Sequence, residues 1–291
     1  MMAAGKKAVE EAEEYKNNII KLGGHIIMKV DVLELKPKKA ILKIEDTSTY
    51  FVNSIRRIML ADLPKLAVND VVIYDNTSAL FDEIISHRLG LVPIPTDLSL
   101  LSFRDECTCK GKGCPTCTVR YTLSKEGEGT IYSGDLQPAE KSWAITEDKI
   151  PIVKLYGDQR LILEVEAVLG RGRQHAKWQS VISPGYFMDS IIEYDKKNEN
   201  DVKKFMEKIP KDIAEFKGNK IVLKDESKLP VFESYIDKEK INFIKIKKDP
   251  TKIIFKFETD GSLSAKDALL ESAKILQEKY TEFGKQLKNL K

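Results

Sequence analysis

The sequence predicts an α+β fold with a β-rich middle, long helices and a small extra module. Short runs that alternate apolar and polar residues, typical of half-buried strands, occur near both ends of the chain and through its middle. Clear helical patterns occur near residue 50 and at the carboxy terminus. A chain of 291 residues with 42% hydrophobic content can bury roughly three quarters of its apolar surface, enough for two or three domains.

Charge and hydropathy exclude several classes of protein. The 48 Lys and Arg residues nearly balance the 45 Asp and Glu residues, and the net charge of +3 argues against a dedicated binder of duplex DNA. The first 24 residues lack the apolar core of a secretory signal, and no run reaches eighteen apolar residues. We therefore expect a soluble, cytoplasmic protein.

The amino-terminal region is predicted to be an extension followed by a hairpin. Residues 5–22 carry apolar side chains at helical spacing, which is compatible with an amphipathic helix or with a solvated extension over residues 1–24. Two β-rich runs follow, over residues 26–35 and 40–46, with a turn that contains lysines and a proline between them.

A helix is predicted within residues 47–64, where Ser48 or Thr49 can cap the amino terminus and Pro64 follows the end. Arg56 and Arg57 lie off the apolar face and form a compact basic spot; from the residues alone, a solvated helix surface accounts for them. The apolar face comprises Val52, Ile55 and Met59.

The middle of the chain is predicted to be β-rich. A strand over residues 68–76 precedes a short helix over 78–90, with Gly90 in the position favoured just past a helix end. The best later strands cover residues 118–124, 150–156 and 161–169.

A lysine-rich and weakly helical segment over residues 196–230 predicts a small module. Strand-like alternation then returns in residues 241–248 and 252–261. The candidate core of the module consists of Phe205, Met206, Ile209, Ile213 and Phe216.

The carboxy-terminal residues predict a helix of about 25 residues, roughly 38 Å long, which Ser262 or Ser264 can cap. Its apolar positions alternate by four and three residues, which is the spacing of a helix seam. Because Leu270 and Ile275 widen the apolar surface beyond one seam, one side can face the chain's own sheet and another a partner chain. The seam comprises Leu269, Ala273, Leu276, Tyr280, Phe283, Leu287 and Leu290.

All four cysteines fall within eleven residues, at the spacing C-x-C-x4-C-x2-C. Four thiolates this close can surround one Zn²⁺ ion, and a site filled by four sulfurs has no open position for catalysis. We predict one structural zinc; an iron–sulfur cluster, a redox C-x-x-C pair and an empty loop remain as alternatives. The ligands would be Cys107, Cys109, Cys114 and Cys117.

Several motifs together carry a resemblance to a known family. They are NSIRRIML at 53–60, HRLGLVPIP at 87–95, HAKW at 175–178 and FETDGSLSAKDALL at 257–270. In this order they resemble the D-subunit family of archaeal DNA-directed RNA polymerase, which is related to the third-largest subunit of eukaryotic RNA polymerase II and to the bacterial alpha amino-terminal domain. The resemblance covers roughly residues 25–290.

The resemblance implies a domain organisation and a set of partners. Residues 25–66 and 236–291 would form a dimerisation domain, residues 67–184 an insertion domain with the cysteine loop, and residues 185–235 a small ferredoxin-like module. In the family, the dimerisation domain pairs with the small L subunit through long terminal helices. The N and P subunits join this pair, which then receives the second-largest and largest subunits. Arg56 and Arg57 would face the second-largest subunit.

The resemblance also implies what the chain lacks. Some members hold an iron–sulfur cluster in the small module, but this chain has no cysteine after Cys117, so we expect no cluster there. RNA synthesis needs closely spaced aspartates to hold Mg²⁺, and the sequence contains no Asp-x-Asp-x-Asp motif. We therefore expect a non-catalytic assembly subunit of a nucleotidyltransferase. The competing hypotheses are an independent zinc-loop protein that binds nucleic acid and a redox enzyme that uses Cys114 and Cys117.

Overall fold

The computed structural model of the chain describes residues 21–22, 26–194, 196–217, 220–224 and 228–288. Most of the predicted amino-terminal extension, together with Leu290 of the predicted seam, lies outside these residues. The chain divides into two compact units. Of the described residues, those in 32–42, 53–185 and 256–288 form the larger unit, and those before Val32, in 43–52 and between 186 and 255 form the smaller unit.

Helices and strands alternate irregularly along the chain. The helices are α1 (Thr49–Ala61), α2 (Asp82–Leu91), α3 (Glu199–Glu207), α4 (Leu229–Lys238) and α5 (Ala265–Lys288). The strands are β1 (Lys21–Leu22), β2 (Ile26–Ile27), β3 (Lys29–Lys36), β4 (Lys39–Glu45), β5 (Pro64–Asn76), β6 (Thr118–Glu126), β7 (Gly129–Tyr132), β8 (Gln137–Pro138), β9 (Pro151–Leu155), β10 (Arg160–Arg171), β11 (Val181–Tyr194), β12 (Ala214–Lys217), β13 (Lys220–Leu223) and β14 (Ile244–Thr259).

The strands form two four-stranded sheets, in the orders β5-β10-β6-β8 and β11-β14-β4-β3, and two-stranded pairs β1-β2, β7-β9 and β12-β13. In the first sheet β10 lies between β5 and β6 and runs antiparallel to both. Helices combined with antiparallel sheets, with a run of strands in the middle of the chain, confirm the predicted α+β fold with an inserted β-rich region. None of the helices in the described part of the chain has the length and apolar content needed to cross a bilayer.

The predicted hairpin and the first helix are confirmed. Strands β3 and β4 are neighbours in their sheet and are joined through a two-residue turn. Helix α1 begins after Ser48, whose hydroxyl oxygen accepts a hydrogen bond from the backbone N–H of Phe51 at 3.4 Å. Val52, Ile55 and Met59 are buried, as their spacing on one face predicts.

The core of the inserted region lies on one face of the β5-β10-β6-β8 sheet. Alternate residues of β10 point into this core, and the glutamates between them remain at the surface. Helix α2 covers the core with Ile85 and Leu89. The prediction for Gly90 was wrong: α2 continues through it to Leu91 and is capped at Val92. Gly90 is buried there without the positive φ that a helix-ending glycine adopts.

The small module has its own apolar core, as predicted. Phe205, Met206, Ile209 and Ile213 are buried in one cluster, and Phe216 packs against it partly buried. The helical prediction is confirmed only for the first half of the segment, because Pro210 follows the end of α3 and residues 214–217 form strand β12. The two strand-like runs after residue 240 form one long strand, β14.

Candidate interaction surfaces and metal centre

Helix α5 begins as its sequence predicts and extends well beyond its buried portion. The Ser264 hydroxyl oxygen accepts a hydrogen bond from the backbone N–H of Asp267 at 3.1 Å, which caps the first turn. The helix has 24 residues and is therefore about 36 Å long. Its buried residues are Ala265, Ala268, Ser272 and Leu276, all in the first half. About 18 Å of helix follows Leu276 without a buried residue.

The apolar seam of α5 changes its environment along the helix. Leu269 is half-buried and Leu276 is 8% exposed, so this end of the seam packs on the chain itself. Beyond it, Tyr280 is 63%, Phe283 59% and Leu287 48% exposed. Ala273 and Leu270 are also exposed. Burial of a side chain such as Phe or Leu contributes about 1.5–3 kcal/mol, so an uncovered row of them indicates an interaction surface.

A different face of α5 is polar. A shallow groove runs along this face and is lined by Lys274, Gln277, Glu278, Thr281, Glu282 and Lys285. The distal half of the helix therefore presents one apolar and one charged face, which is the pattern of a helix that pairs with another chain.

The four cysteines converge as predicted, and their Sγ atoms all lie within 4.8 Å of one another. The Cys107–Cys114, Cys109–Cys117 and Cys114–Cys117 sulfur pairs are separated by 3.5, 3.6 and 3.7 Å. A disulfide would bring two sulfurs to about 2.05 Å. Ligands placed about 2.3 Å from a tetrahedral Zn²⁺ ion would instead be roughly 3.8 Å apart. The sulfur cluster thus has the size and the donor set of a site for one tetrahedral metal ion.

Tight turns bring the cysteines together. Lys110, Gly111 and Gly113 adopt positive φ values, which glycine tolerates without steric cost. The N–H groups of Lys110 and Lys112 donate to the carbonyl oxygens of Cys107 and Cys109 at 3.0 and 3.3 Å, and the N–H of Cys114 donates to the Cys117 sulfur at 3.4 Å. The loop is therefore ordered by its own backbone hydrogen bonds.

Arg104 ties the cysteine loop to the sheet of the larger unit. Its Nε donates to the carbonyl oxygen of Gly111 at 3.1 Å. Its guanidinium also lies 3.6 Å from the carboxylate of Asp70 on β5 and 3.5 Å from that of Glu166 on β10. These two acidic residues are partners in the β5–β10 register. The loop position is thus set by the adjacent strands.

The environments of the sulfurs differ. A hydrogen bond from the Cys109 backbone N–H, supported by the Thr116 hydroxyl and the Cys114 thiol, lowers the pKa of Cys107 to about 6. Burial raises the pKa of Cys117 to about 11. A buried thiolate at that position needs a cation beside it, and a divalent metal ion supplies this charge.

The two arginines of the predicted basic spot on α1 differ in their hydrogen bonding and exposure. The Nε of Arg56 donates to the Asn53 side-chain oxygen at 3.0 Å, so this guanidinium is partly held by its own helix. Arg57 is exposed. Of the pair, Arg57 is therefore the more accessible to another molecule.

Sequence reasoning missed a charge cluster at the end of α1. Asp62 is buried, and its carboxylate forms ion pairs with Arg173 and with Lys279 of α5. These partners lie 111 and 217 residues away along the chain. No local pattern indicates such a contact, because it depends on three distant segments meeting.

The segment 172–179 packs against the end of α1 and is hydrogen-bonded to it. The Arg173 N–H donates to the carbonyl oxygen of Ala61 at 3.0 Å, and the Gln179 side chain donates to that of Leu60 at 3.3 Å. Both bonds satisfy carbonyls that a helix end leaves without partners. A Cβ at Gly172 would overlap the Leu60 carbonyl oxygen. Only glycine lets the two backbones approach this closely.

Replacing Gly172 with alanine is expected to destabilise the larger unit by about 2–4 kcal/mol, because the added methyl group collides with backbone that cannot move aside. Urea unfolding followed by fluorescence measures this loss. Gly185→Ala is the matched control, since a Cβ there has no neighbour within 4 Å. Equal stability of the two variants would contradict the close packing.

The chain is similar to several known proteins over most of its length. The family described as the RNA polymerase Rpb3/RpoA insert domain matches residues 71–191. DNA-directed RNA polymerase subunit Rpo3 of Thermoplasma volcanium is 37% identical over 270 residues, which cover 87% of this chain and 97% of the relative. The subunit of the same name from Methanosarcina acetivorans is 38% identical over 258 residues, 88% and 96% of the two chains. The Rpo3 subunit of Picrophilus torridus is 35% identical over 264 residues, which cover 86% of this chain and 96% of the relative.

Proposed function

The chain belongs to the archaeal Rpo3 family of DNA-directed RNA polymerase subunits, the D-subunit family that its motifs resemble, and on that premise we propose that it is the assembly scaffold of the enzyme. Its partners are other polymerase subunits. We assign it the small L subunit as its direct partner in a heterodimer, which then carries the N and P subunits and the second-largest and largest subunits. The chain takes part in transcription without catalytic residues of its own, in the cytoplasm of an archaeal cell.

The single observation that carries this proposal is the uncovered seam on the distal half of α5. Tyr280, Phe283 and Leu287 continue a stripe whose proximal part is already buried on the chain itself. A helix that extends beyond its own core in this way gains stability by packing on a second chain. We therefore assign the seam from Leu269 to Leu287 to the contact with the L subunit, with its distal half supplying most of the buried area.

The proposed division of the chain into domains follows from this assignment. We assign residues 25–66 and 236–291 to the dimerisation domain, 67–184 to the insertion domain and 185–235 to the small module, after an amino-terminal extension over 1–24. The match of the insert-domain family to residues 71–191 and the separate core of the small module support this division. We further propose that Arg56 and Arg57 face the second-largest subunit, because guanidinium groups suit interfacial carboxylates and carbonyls.

We propose that Cys107, Cys109, Cys114 and Cys117 hold one structural Zn²⁺ ion per chain. The sulfur separations close to a tetrahedron edge support this assignment. When bound, the ion would neutralise the thiolates and cross-link the loop between α2 and β6, leaving no coordination position for a substrate. No iron–sulfur cluster is expected in the small module, since the sequence has no cysteine after Cys117.

Co-purification tests the proposal directly. An affinity tag on this chain, expressed in its own cell, is expected to recover the L, N and P subunits and both large subunits in equal amounts, as measured by mass spectrometry. Recovery of nucleic acid alone would favour the alternative of an independent zinc-loop nucleic-acid-binding protein. Recovery of the chain as a lone monomer would overturn the scaffold assignment.

A further inference from the structure

A small pocket lies beside the cysteine loop, where the loop meets the start of β6 and the turn that follows β8. Its volume is about 130 Å³. Sites for cofactors and drug-sized molecules usually measure about 300–1,000 Å³. This pocket therefore has room for one side chain rather than for a cofactor.

The wall of the pocket is largely apolar and is anchored in the core. Pro115, Val119, Ala139 and Trp143 line it. Val119 and Trp143 also belong to the hydrophobic core of the larger unit. The carbonyl oxygen of Trp143 accepts a hydrogen bond from the buried Tyr121 hydroxyl at 2.8 Å. The shape of the pocket is therefore set by side chains that the core holds in place.

The indole N–H of Trp143 has no hydrogen-bond acceptor among the described residues. Trp143 is only 8% exposed, and the N–H of a largely buried tryptophan usually has an acceptor. In the described part of the chain, the fully buried polar side-chain atoms without a partner are the hydroxyls of Ser180, Ser190 and Thr259. The indole nitrogen of Trp143 therefore keeps some access to solvent, and an acceptor on a bound molecule can supply the missing hydrogen bond.

The polar groups of the lining favour a cation. Glu140 is exposed, and its carboxylate forms no ion pair with any residue that the structure describes. Arg120 also lines the pocket, but its guanidinium already donates to the Glu166 carboxylate, with N–O distances of 3.0 and 2.8 Å. The Cys114 sulfur is an acceptor and at most a weak donor. Glu140 is thus the charge of this lining that is left without a partner.

We propose that this pocket binds one lysine or arginine side chain of a polypeptide partner. The aliphatic stem would lie on Val119 and Trp143, and the charged head would pair with Glu140. A main-chain carbonyl oxygen of the partner would accept the hydrogen bond from the Trp143 indole N–H. Long basic side chains suit such a pocket because an apolar stem carries the charge at its tip. The inference goes beyond the proposed scaffold role, and it uses none of the residues assigned to subunit pairing.

Other occupants fit this lining less well. A phosphate group or an acidic side chain would be repelled by Glu140, while Arg120 is already engaged. An apolar side chain such as leucine would fill the volume but would leave the Glu140 carboxylate and the Trp143 indole N–H without partners. A basic residue supplies an apolar stem, a cation and a carbonyl acceptor together.

Titration of the purified full chain with N-acetyl-arginine amide, followed by NMR spectroscopy of the indole N–H groups, tests the pocket. The chain has two tryptophans, so two indole signals are expected. The Trp143 signal should shift until it saturates. The Trp178 signal is the internal reference, because its N–H already donates to the Val168 carbonyl oxygen at 3.1 Å. N-acetyl-lysine amide should act in the same way, and the uncharged N-acetyl-norleucine amide should bind about tenfold more weakly.

Two variants locate the binding site. Glu140→Gln removes the charge and is expected to weaken binding of N-acetyl-arginine amide about tenfold. Glu126→Gln is the matched control, because it makes the same change at an exposed position at the far end of β6 and should bind as the wild type does. Ala139→Leu fills the pocket without changing its charge and should abolish saturable binding.

Three results would overturn the proposal. One is a Trp143 signal that stays in place at every soluble concentration of N-acetyl-arginine amide. Another is equal binding by the Glu140→Gln and Glu126→Gln chains. The third is saturable binding of N-acetyl-glutamate amide that Glu140→Gln strengthens, which would show that the pocket takes an acid through Arg120. None of these results affects the scaffold role, because pairing with the L subunit is measured separately.

Discussion

Phe283→Asp is expected to prevent pairing with the L subunit while leaving the chain itself folded. Phe283 is 59% exposed in the isolated chain, so its replacement removes no internal packing of consequence. In the paired state it would lose about 2 kcal/mol of apolar burial and place an unpaired carboxylate in the seam, at a further cost of several kcal/mol. Since about 1.4 kcal/mol corresponds to a factor of ten, the affinity should fall at least about 100-fold.

Size-exclusion chromatography of the co-expressed subunits, with isothermal titration of the purified chains, measures this change. Gln277→Asp is the matched control, because it adds the same charge to the polar face of the same helix. Leu276→Asp is not a useful test of pairing: Leu276 is buried in its own chain, so its substitution would unfold the chain first. If the Phe283→Asp chain still bound the L subunit at wild-type affinity, the assignment of the seam to the interface would be wrong.

The second large effect is expected at the sulfur cluster. Cys117→Ser should reduce bound zinc from about one ion per chain to a small fraction of that, as measured by elemental analysis. Cys117 is fully buried and close to two other sulfurs, so a hydroxyl in its place removes a thiolate that no neighbouring residue replaces. Structural zinc contributes on the order of 10 kcal/mol to folded zinc-finger peptides, so the larger unit should also lose several kcal/mol of stability.

A chelator provides the control for this prediction. Chelation should lower the melting temperature of the wild-type chain to near that of Cys117→Ser, and should have little further effect on the variant. Freshly purified wild-type protein that contains no metal would contradict the assignment. Iron found in place of zinc would support the metal site but would show that the metal is not zinc.

The contrast between the cysteine loop and the Asp62 cluster shows what could be predicted from sequence. The four ligands lie within eleven residues, so spacing alone brings them near one another, and the structure confirms their convergence. Asp62, in contrast, meets partners more than a hundred residues away. The residues next to Asp62 in the sequence give no indication of these ion pairs. Nor does the sequence indicate that Gly172, which allows the backbone to approach the end of α1, is structurally important.

Local interactions also explain which element predictions are confirmed. The Ser48 and Ser264 caps are predictable because capping depends on a few adjacent residues. The position of Gly90 relative to the helix end was predicted wrongly. A glycine near the end of a helical pattern can form a left-handed turn after the helix or allow a buried close approach within it, and only the surrounding packing selects between the two. Residues 214–217 form a strand because they pair with β13, a preference that the lysine-rich composition of the segment around them does not express.

The sequence by itself determined the α+β class, the capped helices, the sulfur cluster and the periodic seam of α5, because each depends on residues within a few turns of one another. Only the tertiary structure decided where that seam stops being buried, between Leu276 and Tyr280, and which cations collect around Asp62. Burial and charge balance depend on what the rest of the chain places beside a residue, and a periodic pattern carries no information about how far a neighbouring core extends.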